Sequence, residues 1–354
     1  MVQTASLRDF RSYERLELGL QPGLVLVVGA NGVGKTNLLE AVHVATQGFS
    51  PRTRTDSQVV RFGAEGARAA VSGRRGEVGL ELEVTVRRGE GKRARLNGAP
   101  LRAAEQLRAL TSTLVFTPDR LGVVKGPPAV RRAYLDRVLG RLAPARAALP
   151  TEYGAAVAQR NAALRRASMG GSSRDAVEPW SERAATLGAE LVAARLEVLA
   201  LLEPAFAARA DEFGLGPVAL RYDGEPPTPE ALAAALDRDL DRGVTSVGPH
   251  LDDVVIAAAD RDLRSFGSQG EQRLALLALL LAEAETIADR TGVAPLLLLD
   301  DVLSELDPAR RKILAARVRS AGQALVTATD AAMLPAAPDQ LLEVTPGTVL
   351  GAAA

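Results

Sequence analysis

Eight consecutive residues, Gly29-Ala30-Asn31-Gly32-Val33-Gly34-Lys35-Thr36, have the types and spacing of a phosphate-binding loop, G-x-x-x-x-G-K-T. Gly29, Gly32 and Gly34 let backbone N–H groups converge on an oxyanion, and a following helix adds the positive end of its dipole. In that arrangement Lys35 reaches the β- and γ-phosphates and the Thr36 hydroxyl meets Mg²⁺. A second constellation stands far along the chain. Leu296-Leu297-Leu298-Leu299 is a run of four leucines closed by Asp300 and Asp301. Placed at the end of a buried strand beside the loop, Asp300 is a metal ligand and Asp301 a group that polarises an attacking water. The alternative for this pair is a helix N-cap, which Asp also favours. A third stretch, Ser268-Gln269-Gly270-Glu271, opens an apolar helix; its hydroxyl and free N–H groups suit a phosphate.

Elements to position these residues are readable around them. Leu24–Val28 is an apolar strand leading into the loop. A helical pattern follows it, with Leu38, Leu39, Ala41, Val42 and Ala45 on one face. Before it, residues 2–28 alternate as two or three strands. Strand patterns at 67–74 and 78–87 are joined to a return at 92–97, a hairpin whose tip carries Arg87, Arg88, Lys92, Arg93 and Arg95. Leu114-Val115-Phe116 is a short buried strand. Helices are expected at 129–142, with Arg131 and Arg132 exposed, and at 151–169, 180–213 and 230–242. A strand at 254–258, the apolar helix 273–288, the Leu296 strand, a helix ending near Ser320 and a buried strand at 324–327 complete the chain. There is no internal repeat.

Composition narrows the classes. The chain has 354 residues, enough for two domains or for one with a large insertion. It has no Cys, which excludes disulfides and thiolate metal sites, and its two histidines, His43 and His250, are too few for a His-rich centre. Aromatics make up 3%, so Leu, Val and Ala must fill the core. No stretch reads as a signal peptide, and the longest apolar run, Leu274 to Ala282, is too short to span a bilayer; a soluble, cytoplasmic protein with no membrane partner is expected. Formal net charge is zero, yet residues 50–174 carry 24 Lys and Arg against 10 Asp and Glu. Residues 175–354 carry 15 against 29. Such a split fits either a nucleic-acid face or two mutually attracting halves. The few aromatics favour backbone contact to duplex DNA over base stacking. Arg87, Arg88, Lys92, Arg93 and Arg95, with Arg131 and Arg132, are the candidate DNA contacts.

The order of these motifs resembles a known family. Ser268-Gln269-Gly270 is similar to the ABC-type signature that caps a nucleotide across a dimer, with Gln269 and Glu271 where that pattern has Gly and Gln. Ser304-Glu305-Leu306-Asp307 is similar to the D-loop after it, and Thr329 or Asp330 takes the switch position. Adding Leu7-Arg8-Asp9-Phe10-Arg11-Ser12-Tyr13, Pro118-Asp119 through Lys125-Gly126, Pro128, Arg131-Arg132 and Tyr134-Leu135-Asp136, Gly248-Pro249-His250 with Asp252-Asp253, and Lys312, the set resembles the RecF family of recombination-repair ATPases, relatives of the Rad50 and SMC heads. The resemblance runs from Leu7 to about Asp330. Leu251 departs from it, standing where a basic residue is expected.

The resemblance implies an α/β, ABC-type P-loop ATPase head with a mixed sheet, formed by residues 1–120 with 241–354, and an inserted helical arm at 121–240. It implies ATP and Mg²⁺ as cofactors, held by Gly29 through Thr36, with Asp300 on the metal and Lys35 and Asp301 in catalysis. Ser268 and Gly270 would cap the nucleotide of a second copy. It further implies an ATP-dependent homodimer that clamps double-stranded or junction DNA at gaps, RecO- and RecR-type mediator partners, assistance to RecA loading, and slow DNA-dependent hydrolysis as the release. Two rivals fit less well. A transporter-type subunit is disfavoured by the missing switch His and the basic half, and an SMC-like tether by the shortness of the arm.

Overall fold

The computed structural model describes residues 1–352; the side chains of Pro118 and Asp119, within the family-like stretch, lie outside what it describes. The strands, in chain order, are β1 Val2–Phe10, β2 Tyr13–Gly19, β3 Leu24–Val28, β4 Gly66–Arg75, β5 Val78–Arg87, β6 Gly91–Leu96, β7 Ala99–Pro100, β8 Thr113–Phe116, β9 Val218–Asp223, β10 Asp253–Ala258, β11 Arg261–Asp262, β12 Leu296–Leu299, β13 Ala324–Ala328, β14 Gln340–Thr345 and β15 Thr348–Ala352. They form three sheets in two compact units, Met1–Arg120 with the chain from Ile287 onward, and Leu121–Thr286.

The first unit holds two six-stranded sheets. One is antiparallel, ordered β2-β1-β4-β5-β6-β7. The other is mixed, ordered β15-β14-β3-β13-β12-β8, with only the β14–β15 pair antiparallel. Strand β3 lies between β13 and β14 and is covered on both faces, so all five of its residues are buried and its sequence is unbroken Leu and Val. Helix Lys35–Gln47 packs between the two sheets in one apolar core. The sequence pattern gives this helix one apolar face; in the structure it is buried nearly all round. Its polar residues are therefore bonded. Glu40 accepts from Arg11, Arg52 and Ser50, His43 Nδ1 meets Phe49 O at 3.0 Å, and Gln47 Nε2 donates to Thr111 O at 2.8 Å.

The second unit combines helices Pro128–Leu142, Leu149–Ser168 and Glu178–Glu212 with the small antiparallel sheet β11-β10-β9. The first break between the units lies at 120/121. The second falls at 286/287 rather than 240/241. Strand β10 pairs with β9 over six registered positions, which ties residues after 241 to the helices before them. The expected helix 230–242 is broken into Pro229–Ala234 and Leu236–Arg242. Arginines act as internal struts here. Arg160 and Asp239 are wholly buried and 2.6 Å apart, with Thr245 and Ser181 taking further guanidinium hydrogens. Arg195 makes a two-pronged pair with Asp136 at 2.8 and 3.0 Å.

Candidate nucleotide site

Strand β3 delivers the chain into the loop at Val28, and the three glycines take backbone that other residues avoid: φ is 154° at Gly29, 82° at Gly32 and 122° at Gly34. At Gly29 there is also no room, since a Cβ would sit 2.5 Å from Val344 O. Gly34 caps the helix Lys35–Gln47 with no side-chain cap and no acidic residue in the first turn, which leaves the helix N-terminus open to an anion. Tyr13 Oη donates to Gly34 O at 3.1 Å and fixes this corner; burial pushes the Tyr13 hydroxyl up to about 12. Lys35 Nζ folds onto the loop, donating to Gly29 O at 2.6 Å and Ala30 O at 2.9 Å, and its pKa is lowered by desolvation.

The double-Asp stretch meets the loop. Thr36 Oγ1 donates to both carboxylate oxygens of Asp300 at 3.0 Å, bridging 264 positions of sequence. Thr327 Oγ1 donates to Asp300 Oδ1 at 2.8 Å and accepts from Asp301 N at 2.8 Å. Burial raises the Asp300 pKa, against the pull of these hydroxyls. Asp301 takes a left-handed backbone, φ 50°, at the head of the turn Val302–Glu305 and caps nothing with its side chain; the N-cap alternative is not realised. Its Oδ1 is buried without a protein partner. Thr36 and Asp300 thus present oxygen atoms of the kind a hard divalent cation takes, and Asp301 keeps one carboxylate oxygen without a protein partner beside them. Asn31 and Val33 complete the loop between its glycines.

Thr327 and Tyr13 join the site although no motif of the sequence marks them for it. Thr327 had a signal, one hydroxyl in the otherwise apolar strand β13. Tyr13 lay in a family-like stretch without an assigned part.

In the second unit Ser268 and Glu271 form a reciprocal cap at the start of helix Gln269–Thr291. Ser268 Oγ accepts from Glu271 N at 3.2 Å, and the Glu271 carboxylate accepts from Ser268 N at 2.8 Å, a bond that holds the Glu271 pKa below its usual range. Gly270 stands beside them in the first turn. His250 has both ring nitrogens engaged within its own unit, Nδ1 with Tyr153 Oη at 2.7 Å and Nε2 with Thr245 O at 3.1 Å. Leu251 is exposed.

The candidate DNA contacts divide. Arg87, Arg88, Arg93 and Arg95 are exposed on the β5–β6 hairpin; Arg87 and Arg93 lean toward Glu90, Arg88 Nε donates to Ala64 O, and Lys92 pairs with Asp56 at 3.5 Å. Arg131 is not exposed. It is 3% accessible, held by both oxygens of Asp253 and by the carbonyls of Val124 and Gly126. Arg132 is half-buried on Asp252 O. The helical period of 128–142 turns Arg131 into its own unit, so its expected exposure is not realised, and Arg132 keeps only part of its surface open.

A model of the RecF/RecN/SMC N-terminal domain matches residues 1–349. The chain belongs to the RecF family. It is 40% identical to the DNA replication and repair protein RecF of Kineococcus radiotolerans, over 94% of this chain and 93% of the relative. It is 37% identical to the protein of that description from Streptomyces avermitilis, over 91% and 92%. A solved structure described as the recombination mediator protein RecF-ATP in the RecFOR pathway superposes with a TM-score of 0.91 at 27% identity, covering 99% of this chain and 97% of that one. An Smc head bound to the winged-helix domain of ScpA shares the fold, with a TM-score of 0.63 at 18% identity over 99% and 97%. The ABC-type head with its mixed sheet is thus the fold expected of the family. Among the described residues no helix is long and apolar enough to cross a membrane.

Proposed function

We propose that this chain is an ATP-driven DNA clamp of recombinational repair. The observation that carries the reading is the junction of Thr36 with Asp300, which brings the loop and the double-Asp strand together over an open helix N-terminus. Bound ATP would place its phosphates on Gly29 through Thr36, with Lys35 released from its loop carbonyls to the β- and γ-phosphates. Mg²⁺ would be held by Thr36 and Asp300 and would neutralise phosphate charge. Asp301, with one oxygen lacking a donor, orients water. Ser268 and Gly270 would cap the nucleotide of a second copy, making the closed state a homodimer around ATP. The exposed hairpin arginines support contact to duplex phosphates at gaps or junctions. RecO- and RecR-type partners, help in loading RecA, and slow hydrolysis as the release step complete the reading. Gel filtration with light scattering tests it. ATP should convert monomer to dimer and DNA should move with the dimer; a chain that stays monomeric with ATP, Mg²⁺ and duplex DNA would overturn it.

A further inference from the structure

The first unit contains a cavity of about 560 Å³ far from the nucleotide loop. It opens at Gly23, Ser112, Leu296 and Gln323, which mark the starts of four strands of the mixed sheet, β3, β8, β12 and β13. The loop and Asp300 lie at the opposite ends, a strand length of roughly 15 Å away. Val71, Leu80, Leu82, Leu110 and Val293 give the cavity apolar walls, and Val293 is 42% exposed at its mouth. The space persists because small residues border it: a Cβ added at Gly76 or Gly292 would meet nothing within 4 Å. Its volume is that of a small-ligand site, and an apolar recess left open to water carries a standing cost that an apolar occupant removes.

The charge around it is one-sided. No Asp or Glu lines the cavity, while Arg74 and Arg75 do. Arg74 is answered by Glu77 at 3.1 Å. Arg75 is not: its Nη1 donates to Ala109 O at 3.4 Å and Leu110 O at 3.0 Å, and among the described residues no carboxylate pairs with it. Anchoring Nη1 on these carbonyls orients the guanidinium and leaves its Nε–Nη2 edge available, one of the forks that takes a carboxylate with two parallel hydrogen bonds.

We infer that this cavity docks a short apolar peptide segment of a partner protein, with apolar side chains in the recess and a carboxylate on Arg75. The site is separate from the nucleotide loop and works with or without ATP.

The test uses N-acetyl-Leu-Leu-Phe with a free C-terminal carboxylate and its C-terminal amide. Each displaces 8-anilinonaphthalene-1-sulfonate from the full chain, with and without ATP. The acid should bind about ten-fold tighter than the amide, the scale of a charge-assisted fork. Arg75→Gln should erase that ratio and Arg74→Gln should keep it. Leu80→Trp, and separately Ala109→Phe at the rim, should abolish binding of both peptides while the melting curve stays cooperative. Equal binding of acid and amide, an unchanged ratio in Arg75→Gln, or loss of peptide on adding ATP would overturn the inference. Decanoate binding more tightly than the peptide would overturn the peptide assignment.

Discussion

At the residue scale, Lys35 Nζ donates to two loop carbonyls, and among the described residues no carboxylate pairs with it, so its charge is available to phosphate. Lys35→Met should lower ATP affinity by about ten- to a hundred-fold, the worth of one charged contact, and cripple turnover. Equal affinity and turnover, measured by nucleotide titration and phosphate release, would remove Lys35 from the site. Asp300 and Asp301 are neighbours with different surroundings. Asp300 is bonded to two threonines, whereas Asp301 has an orphan oxygen on a strained backbone. Asp300→Asn should weaken Mg²⁺-dependent binding and turnover together. Asp301→Asn should keep binding, slow turnover by about a hundred-fold or more, and accumulate an ATP-bound dimer. One shared phenotype would show that the division is wrong. The loop and both aspartates were legible because glycine spacing and a polar pair ending an apolar run are local patterns. Thr327 and the burial of Arg131 were not, since each depends on a partner distant in sequence.

At the element scale, the helix beginning at Gln269 starts with a cap made from its own residues, Ser268 and Glu271. Ser268→Arg should spare ATP binding by the monomer yet block ATP-dependent dimerisation, read by light scattering. Normal dimers would leave Ser268 a cap and nothing more. His250 ties the turn after Thr245 to helix Leu149–Ser168 through Tyr153, and burial lowers its pKa. A depressed histidine favours the neutral form when folded. The unfolded chain therefore takes up the proton first as pH falls below about 6.5, and stability is lost there, by at most ~1.4 kcal/mol per pH unit. Denaturant unfolding at pH 7.5 and 5.5 should show this loss in wild type and a smaller one in His250→Gln; identical losses would exclude His250 as the cause. Long elements with an unbroken period, such as β5 and the helix Glu178–Glu212, were readable to within two residues. Strands β9 and β11 were hidden. Each draws its hydrogen bonds from β10, and no local pattern announces such a pairing.

At the scale of the whole molecule, the charge excess of residues 50–174 is partly spent inside. Arg131 and Arg160 are buried in ion pairs and Arg141 is mostly covered in another, so the outward excess is smaller than the sequence count. Four exposed arginines, Arg87, Arg88, Arg93 and Arg95, stand close together on the β5–β6 hairpin, while others such as Arg54, Arg102, Arg146 and Arg166 are exposed elsewhere. Replacing Arg87, Arg88, Arg93 and Arg95 by Gln should weaken duplex binding and reduce the salt slope by about 2 to 4, with basal ATPase retained. An unchanged slope would make this face ordinary solvated surface. The position of β3 between β13 and β14 has a consequence for synthesis. On the ribosome the phosphate loop emerges well before both flanking strands, which come only at Ala324–Ala328 and Gln340–Thr345. Until then Leu24–Val28 is an all-apolar strand with two bare edges, a template for pairing with other chains. A chain truncated before β13 should therefore aggregate and hold no nucleotide.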